Sequence, residues 1–238
     1  MSTFVLVPGA WLGGWCWNRI TPILNKAGHE TYPVTLTGMG DRAHLARKEH
    51  GIETPIQDVL NVIDYNDLDD IILVGHSFAG KVVAAVADRA HKRVNTVLFL
   101  DAFRPQKVRT PQGSFSDEFP PSPDGTNFPF STTILDAIGK DVQGRDRQWL
   151  LSKSTPWPRK YAQDPITLST NFDLLRQAYI FCTSSGDPVD QILAGKWGKI
   201  EGPYKVIDSG HYPMITNPRE LADDLLQLAG QTLTIDAD

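Results

Sequence analysis

The sequence predicts an α/β protein in which helices cover both faces of a mostly parallel sheet. Short aliphatic runs alternate along the chain with segments of helical spacing, and such runs are typical of strands buried on both faces of a sheet. The alternation stops after residue 102 and resumes near residue 174. We therefore expect one core built from residues 1–102 and 174–238, with residues 103–173 inserted as a lid.

The first hundred residues supply four predicted strands, which are FVLV (4–7), HETYPVTL (29–36), IILVG (71–75) and VNTVLFL (94–100). Each is an apolar or β-branched run bounded by turn residues. Helical spacing predicts a helix over 15–27, and Gly28 is typical of a helix end. Thr54 followed by Pro55 predicts the start of a second helix. Small residues from about 78 to 90 predict a third.

The lid is predicted from the composition of residues 103–173. This stretch is rich in Pro, Ser and Asp, and its aromatic residues include Phe115, Phe119, Phe128, Phe130, Trp149 and Trp157. A loop of that length without structure is unusual in a compact domain, so we expect short helices near 150–154 and 167–177. Beyond the lid, AYIFCT (178–183) and PYKVI (203–207) predict strands, and helices are expected over 189–197 and 218–228.

Ser77 is the candidate nucleophile. It lies in GHSFAG, directly between a predicted strand and a predicted helix, where a nucleophile elbow lifts a Ser hydroxyl above the edge of the sheet. The tight turn needs small residues two positions before and after the Ser, and these are Gly75 and Ala79. The backbone N–H of Phe78, at the start of the helix, is predicted to stabilise a developing oxyanion.

His211 is the candidate base, and two aspartates compete as its acid. His211 follows PYKVI in a short loop and comes late in the chain, as the order Ser, acid, His requires. His76 is a poor base, because adjacent residues on an elbow point away from each other. Asp101 closes the strand 94–100 and Asp187 follows the strand 178–183, and either carboxylate can orient the imidazole.

A second oxyanion donor is expected in PGAW, directly after the first strand. Pro8 has no N–H and Gly9 allows close backbone approach, so the N–H of Ala10 is the predicted donor, with that of Trp11 as the substitute. Four aromatic residues are expected to line the substrate pocket, namely Trp11, Trp149, Trp157 and Tyr212.

Composition and charge argue against several classes of function. The chain has 238 residues and a formal net charge of −5, with no long run of Lys or Arg, so nucleic-acid binding is not expected. The amino terminus lacks a signal-peptide pattern, and no apolar stretch is long enough to cross a bilayer. Cys16 and Cys182 lie far apart without zinc-type spacing. We expect a cytoplasmic protein, monomeric or homodimeric, that needs no membrane, metal or cofactor.

The stretches FVLVPGAWLGGWCW, AGHETYPVTLTGMGDRAHL, ILVGHSFAG and LFLDAF resemble the α/β-hydrolase superfamily. More closely, nearly the whole chain is similar to the branch that holds plant methyl-ester hydrolases, hydroxynitrile lyases and bacterial salicylate-esterase-like proteins. The resemblance implies a Ser-His-Asp hydrolase that cleaves small carboxylic esters through an acyl-enzyme without a cofactor. Plant members carry their acid near the position of Ser185 and have Ala in place of Asp101. The acid here is therefore expected at Asp101, with Asp187 as the alternative.

Two other functions compete with ester hydrolysis. The hydroxynitrile lyases use a Thr where Gly9 stands and a Lys where Tyr212 stands, so a C–C lyase is disfavoured. A non-catalytic receptor for small ligands on the same scaffold is disfavoured because Ser77 and His211 are both present.

Overall fold

A computed structural model describes residues 1–102, 104–105, 120–183 and 200–230. Its elements in chain order are β1 (Thr3–Val7), α1 (Thr21–Lys26), β2 (Glu30–Pro33), α2 (Glu53–Tyr65), β3 (Ile71–His76), α3 (Ala79–Arg89), β4 (Val94–Leu100), β5 (Asn127–Phe128), α4 (Thr132–Ile138), α5 (Gly144–Lys153), β6 (Trp157–Pro158), α6 (Arg159–Gln163), α7 (Thr170–Leu174), β7 (Arg176–Cys182), β8 (Tyr204–Ile207), α8 (Pro213–Thr216) and α9 (Pro218–Gly230). Two short 3₁₀ helices cover Gly14–Trp17 and Gly40–Leu45.

Within the described residues, six parallel strands form the main sheet in the order β2-β1-β3-β4-β7-β8. Alternate side chains of the four central strands, β1, β3, β4 and β7, enter two different apolar clusters. In β1, Val5 and Val7 belong to one cluster, while Phe4 and Leu6 belong to the other. Because successive side chains of a strand point to opposite faces, the sheet is buried on both sides. The predicted α/β fold is confirmed.

Prolines explain two differences between the predicted and observed helices. The helix expected over 15–27 is split into a 3₁₀ helix and α1, and Pro22 lies in the first turn of α1. Pro is tolerated there because the first-turn N–H groups have no partner within the helix. Likewise, α2 begins at Glu53, one residue before the expected start at Thr54, and Pro55 still lies in its first turn. The helix expected over 189–197 lies outside the described residues.

Residues 120–174, called here the outer segment, stand apart from the main sheet. Their strands β5 and β6 pair with each other in an antiparallel ribbon, and the short helices expected near 150–154 and 167–177 are present as α5 and α7. The outer segment bonds to loops that follow different strands. Tyr161 donates to the carbonyl of Thr37 after β2 at 2.8 Å, and Ile138 accepts from the N–H of His211 after β8 at 2.9 Å. It therefore lies over the carboxyl edge of the sheet.

None of the helices in the part of the chain that the structure describes has the length and apolarity needed to span a bilayer.

Lys81 ties helix α3 to the outer segment. Its Nζ donates to the carbonyl oxygens of Tyr161 at 3.3 Å and Ala162 at 3.1 Å, and also to that of Asp164. Burial lowers the pKa of Lys81 to about 8. The ammonium group is half-buried and is solvated by backbone carbonyls, so the end of α6 is fixed to the helix that follows the candidate nucleophile.

Replacing Lys81 by Met is expected to lower the free energy of unfolding by about 2 kcal/mol, because the three carbonyls lose a charged donor. Urea denaturation of both proteins measures the difference. The matched control is Lys92→Met at an exposed position beyond α3, which is expected to change stability by less than about 0.5 kcal/mol. Equal effects of the two substitutions would contradict the role of Lys81.

Candidate active site

Ser77 and Asp101 directly follow two paired strands. The register of β3 and β4 pairs His76 with Leu100, and the N–H of Ser77 donates to the carbonyl of Leu100 at 3.0 Å. Ser77 has φ 56° and Asp101 has φ 43°. Residues other than Gly adopt this left-handed region at an energetic cost, and they are concentrated at functional sites. Both strands therefore end in a sharp turn at the same level of the sheet.

The small residues around Ser77 are required by the packing of α3 on β3. A Cβ at Gly75 would lie 2.5 Å from Val83 Cγ2 and 2.9 Å from the carbonyl oxygen of Ala79. Ala79 is itself fully buried. Any larger side chain would push helix and strand apart, so the spacing predicts the turn for a physical reason.

The carboxylate of Asp101 is held by two partners. Its Oδ2 lies 2.5 Å from Nδ1 of His211, and its Oδ1 accepts from the N–H of Cys182 at 3.1 Å. The Asp101 side chain is 1% exposed and that of His211 is 14% exposed. Because the carboxylate accepts, Nδ1 of His211 carries the proton, and its Nε2 is left with a lone pair that can take a proton.

Ser77 Oγ and His211 Nε2 are not hydrogen-bonded to each other, although both residues are among those described. The two side chains belong to the same edge of the sheet, since Ser77 follows β3 and His211 lies in the loop after β8. Catalytic hydrogen bonds are often long without substrate and tighten only in the reactive complex. The arrangement suits a nucleophile and base that engage when a substrate binds.

The two predicted oxyanion donors are near the nucleophile and have no acceptor among the described residues. Phe78 is the N-cap residue of α3, and Ala10 follows Gly9 in the loop after β1. A Cβ at Gly9 would lie only 3.0 Å from Ser77 Cβ, so this loop passes in contact with the nucleophile. Unbonded N–H groups at a helix start and in an adjacent loop can stabilise a negatively charged oxygen.

Aromatic rings from the outer segment pack on the same region. The ring centroids of Trp11 and Trp157 are 5.6 Å apart, and those of Trp157 and Phe78 are 5.0 Å apart. Phe130 lies 5.4 Å from Trp11. The indole N–H of Trp11 donates to the carbonyl of Phe128 at 2.9 Å. Trp11 and Trp157, both predicted pocket residues, are thus brought together with Phe78.

The other two predicted pocket residues, Trp149 and Tyr212, have different ring contacts. Trp149 packs on Trp15, with ring centroids 4.9 Å apart, and lies under the guanidinium of Arg19, so its place in a substrate pocket stays a prediction. Its neighbour Leu150 faces the apolar core, which turns the indole toward the 3₁₀ helix after β1. Tyr212 is buried, and its ring centroid lies 5.4 Å from that of the His211 ring in an edge-on contact. Tyr212 therefore packs against the candidate base within the loop after β8.

One predicted residue of the site is not among the described residues, and one contact of the site was not predicted. Asp187, the alternative acid, lies outside the described residues. The Cys182 N–H that holds Asp101 was not predicted, and no residue pattern signals it because any residue offers that backbone donor. Among the described residues, no group of three or more His, Cys, Asp or Glu side chains is placed to hold a metal ion.

The sequence and the fold of this chain are similar to those of several known proteins. A relative from Nocardioides sp. (strain SG-4G), named carbendazim hydrolyzing esterase, is 32% identical and covers 96% of this chain and 100% of its own. Methylesterase 9 of Arabidopsis thaliana is 26% identical over 96% of this chain and 98% of its own. A solved extracellular alpha/beta-hydrolase from a Paenibacillus species, described as homologous to tobacco salicylic acid binding protein 2, shares the fold. Its TM-score is 0.81 at 22% identity, and the match covers 97% of this chain and 100% of that one.

The predicted resemblance is confirmed by these relatives and by a family model. The model of the alpha/beta hydrolase family matches residues 4–224. The chain therefore belongs to the alpha/beta hydrolase family.

Proposed function

We propose that this protein is a serine-dependent hydrolase of small carboxylic esters. The observation that carries the proposal is the hydrogen bond from His211 to the buried carboxylate of Asp101, at the sheet edge that bears Ser77. Two relatives that match nearly the whole chain are named as esterases. The proposed reaction uses side chains and backbone N–H groups of one chain, so it requires no cofactor, metal, nucleic acid or membrane.

The first half of the proposed reaction forms an acyl-enzyme. Ser77 Oγ attacks the ester carbonyl carbon while Nε2 of His211 accepts the hydroxyl proton. The carbonyl oxygen becomes an oxyanion, which accepts hydrogen bonds from the N–H groups of Ala10 and Phe78. The Asp101 carboxylate stabilises the imidazolium that forms on His211. The imidazolium then protonates the departing alcohol oxygen as the tetrahedral intermediate collapses.

The second half releases the acid. A water molecule gives one proton to Nε2 of His211 and attacks the acyl carbon, and a second oxyanion forms at the same two N–H groups. Collapse returns the proton to Ser77 Oγ and frees the carboxylic acid. His211 thus alternates between base and acid, and Asp101 keeps its imidazole in the tautomer that both halves need.

We place the triad acid at Asp101. The 2.5 Å hydrogen bond to His211 and the support from the Cys182 N–H favour it over Asp187. An aspartate whose two oxygens are already bonded in a buried site is held in one orientation, which is what a residue that orients an imidazole requires.

The outer segment is proposed to be the lid of this hydrolase, inserted between the two parts of the core. Its position over the carboxyl edge and the ring cluster of Trp11, Trp157 and Phe78 support this assignment and favour a small apolar or aromatic ester. A cytoplasmic location is supported by Cys16 and Cys182, which are both buried free thiols.

The oligomeric state, monomer or homodimer, does not affect the proposed chemistry, because Ser77, Asp101 and His211 all come from one chain.

The two rival functions have less support. A lyase with Thr at position 9 would bring a side chain into the space occupied by His76 and Ser77, since even a Cβ there would lie 2.6 Å from His76 Nδ1. A receptor that does not turn over its ligand has no need for the His211–Asp101 bond. Assays of mandelonitrile cleavage and of ester turnover separate both rivals from the hydrolase.

Replacing Ser77 by Ala is expected to lower kcat for p-nitrophenyl acetate at least about 10³-fold, because the nucleophile is lost. Release of p-nitrophenol measures the change. Ser122→Ala, which alters a Ser of the outer segment far from Ser77 in sequence, is the matched control and should leave kcat within about two-fold of the unaltered protein. Undiminished turnover in Ser77→Ala would overturn the mechanism.

Replacing Asp101 by Asn is expected to lower kcat by about 10³- to 10⁴-fold, because the amide favours the wrong tautomer of His211. The matched substitution Asp187→Asn should leave kcat nearly unchanged. The same ester assay, run on both variants side by side, decides the acid. A large loss in Asp187→Asn with a small one in Asp101→Asn would assign the acid to residue 187.

A further inference from the structure

His76, next to the nucleophile, has no part in the proposed reaction and is yet one of the few buried polar side chains near the site. It is 1% exposed, and its Nε2 lies 2.8 Å from the backbone carbonyl oxygen of His211. The two imidazole rings are 4.7 Å apart. A buried polar side chain that contacts the candidate base through a single hydrogen bond requires an explanation.

The hydrogen bond determines which tautomer His76 adopts. A carbonyl oxygen only accepts, so Nε2 of His76 carries the proton and donates it. Its Nδ1 then bears a lone pair, and this atom has no hydrogen-bond partner among the described residues. Burial and the neighbouring His211 hold the pKa of His76 well below its usual range. His76 is therefore a neutral imidazole that donates from one fixed atom.

The other edge of the His76 ring lies against the loop after β1. A Cβ at Gly9 would be 2.6 Å from Nδ1 and 3.0 Å from Cε1 of His76. The ring thus lies between Gly9, which precedes the oxyanion donor Ala10, and the backbone of His211. It is in contact with both loops that contribute to the chemistry.

We propose that His76 is a positioning residue, which fixes the backbone of His211 through its Nε2–H and so keeps the base aligned with Asp101 and Ser77. This inference rests on the proposed ester hydrolysis for its kinetic consequence, but the geometry that it describes does not. His211 has one side-chain bond to Asp101 and a backbone N–H bond to Ile138 at 2.9 Å. Among the described residues, the bond from His76 is the third restraint on His211.

The neutral state of the His76 ring also matters for the proposed reaction, because it avoids a second positive charge beside His211. A second cation beside His211 would oppose formation of the imidazolium in the reaction. A neutral ring that only donates to a carbonyl holds the base in place without competing for the proton of Ser77.

Two neutral amides test the proposal, because they mimic different ring nitrogens. His76→Gln carries its amide nitrogen about as far from the backbone as Nε2 and retains the donor. His76→Asn reaches only about as far as Nδ1 and loses it. Both variants remove the imidazole, so an effect of general repacking would affect both.

The first measurement needs no turnover. Proton NMR of the full chain should show a low-field resonance from the short hydrogen bond between His211 Nδ1 and Asp101, identified by its loss in Asp101→Asn. We expect the resonance to persist in His76→Gln and to shift or disappear in His76→Asn. Persistence in both variants would overturn the proposal, whether or not the protein hydrolyses esters.

The second measurement is kinetic. With p-nitrophenyl acetate, kcat of His76→Asn should fall about 10- to 100-fold with little change in KM, as expected for a misaligned base, and His76→Gln should recover most of the loss. His76→Leu fills the site without a donor, and it replaces His76→Asn if that variant does not fold. Equal kcat values for the Gln and Leu variants would overturn the proposal. Failure of the ester-hydrolase assignment itself would appear as turnover that is unchanged in Ser77→Ala.

Discussion

The pairing register of β3 with β4 is the constraint on which the whole site depends. Parallel strands lie about 4.8 Å apart, and their last paired residues here are His76 and Leu100. Each chain then turns through a left-handed residue, so Ser77 and Asp101 leave the sheet at the same height. A slip of one residue would send the Asp101 side chain to the opposite face. Neither the Cys182 N–H nor the His211 ring could then reach its carboxylate.

Local signals predicted most of the fold because each depends on a few adjacent residues. The run from Val94 to Leu100 is apolar or β-branched except for Asn95 and ends abruptly at Asp101, and the strand has those same limits. The elbow at Ser77 was predictable for a similar reason, since the close approach of α3 to β3 restricts the size of Gly75 and Ala79. Helix starts were less accurate, because a Pro fits several positions of a first turn.

The pairing of Asp101 with His211 could not be predicted from local signals, because it depends on the order of the strands. β7 lies between β4 and β8, so the Asp101 side chain extends across the end of β7 to reach His211. There it also accepts a hydrogen bond from the N–H of Cys182, the last residue of β7. That order is a property of the assembled sheet. The contacts of Trp149 with Trp15 and Arg19 could not be predicted for a related reason. The aromatic residues of the lid sequence predicted a pocket lined by rings, but they did not indicate on which face of α5 the Trp149 indole would lie.

The contacts of Trp11 have a consequence for how freely such a protein can change its specificity. Its indole N–H bonds to Phe128 and its carbonyl accepts from the N–H of Thr155 at 3.0 Å, while its own backbone is left-handed at φ 66°. The residue beside Ala10 is thus tied at two points to the outer segment. The outer segment is therefore not an independent module. Exchanging it for that of another hydrolase would also release the loop after β1, so a transplant aimed at new substrates would have to carry matching partners for Trp11 with it.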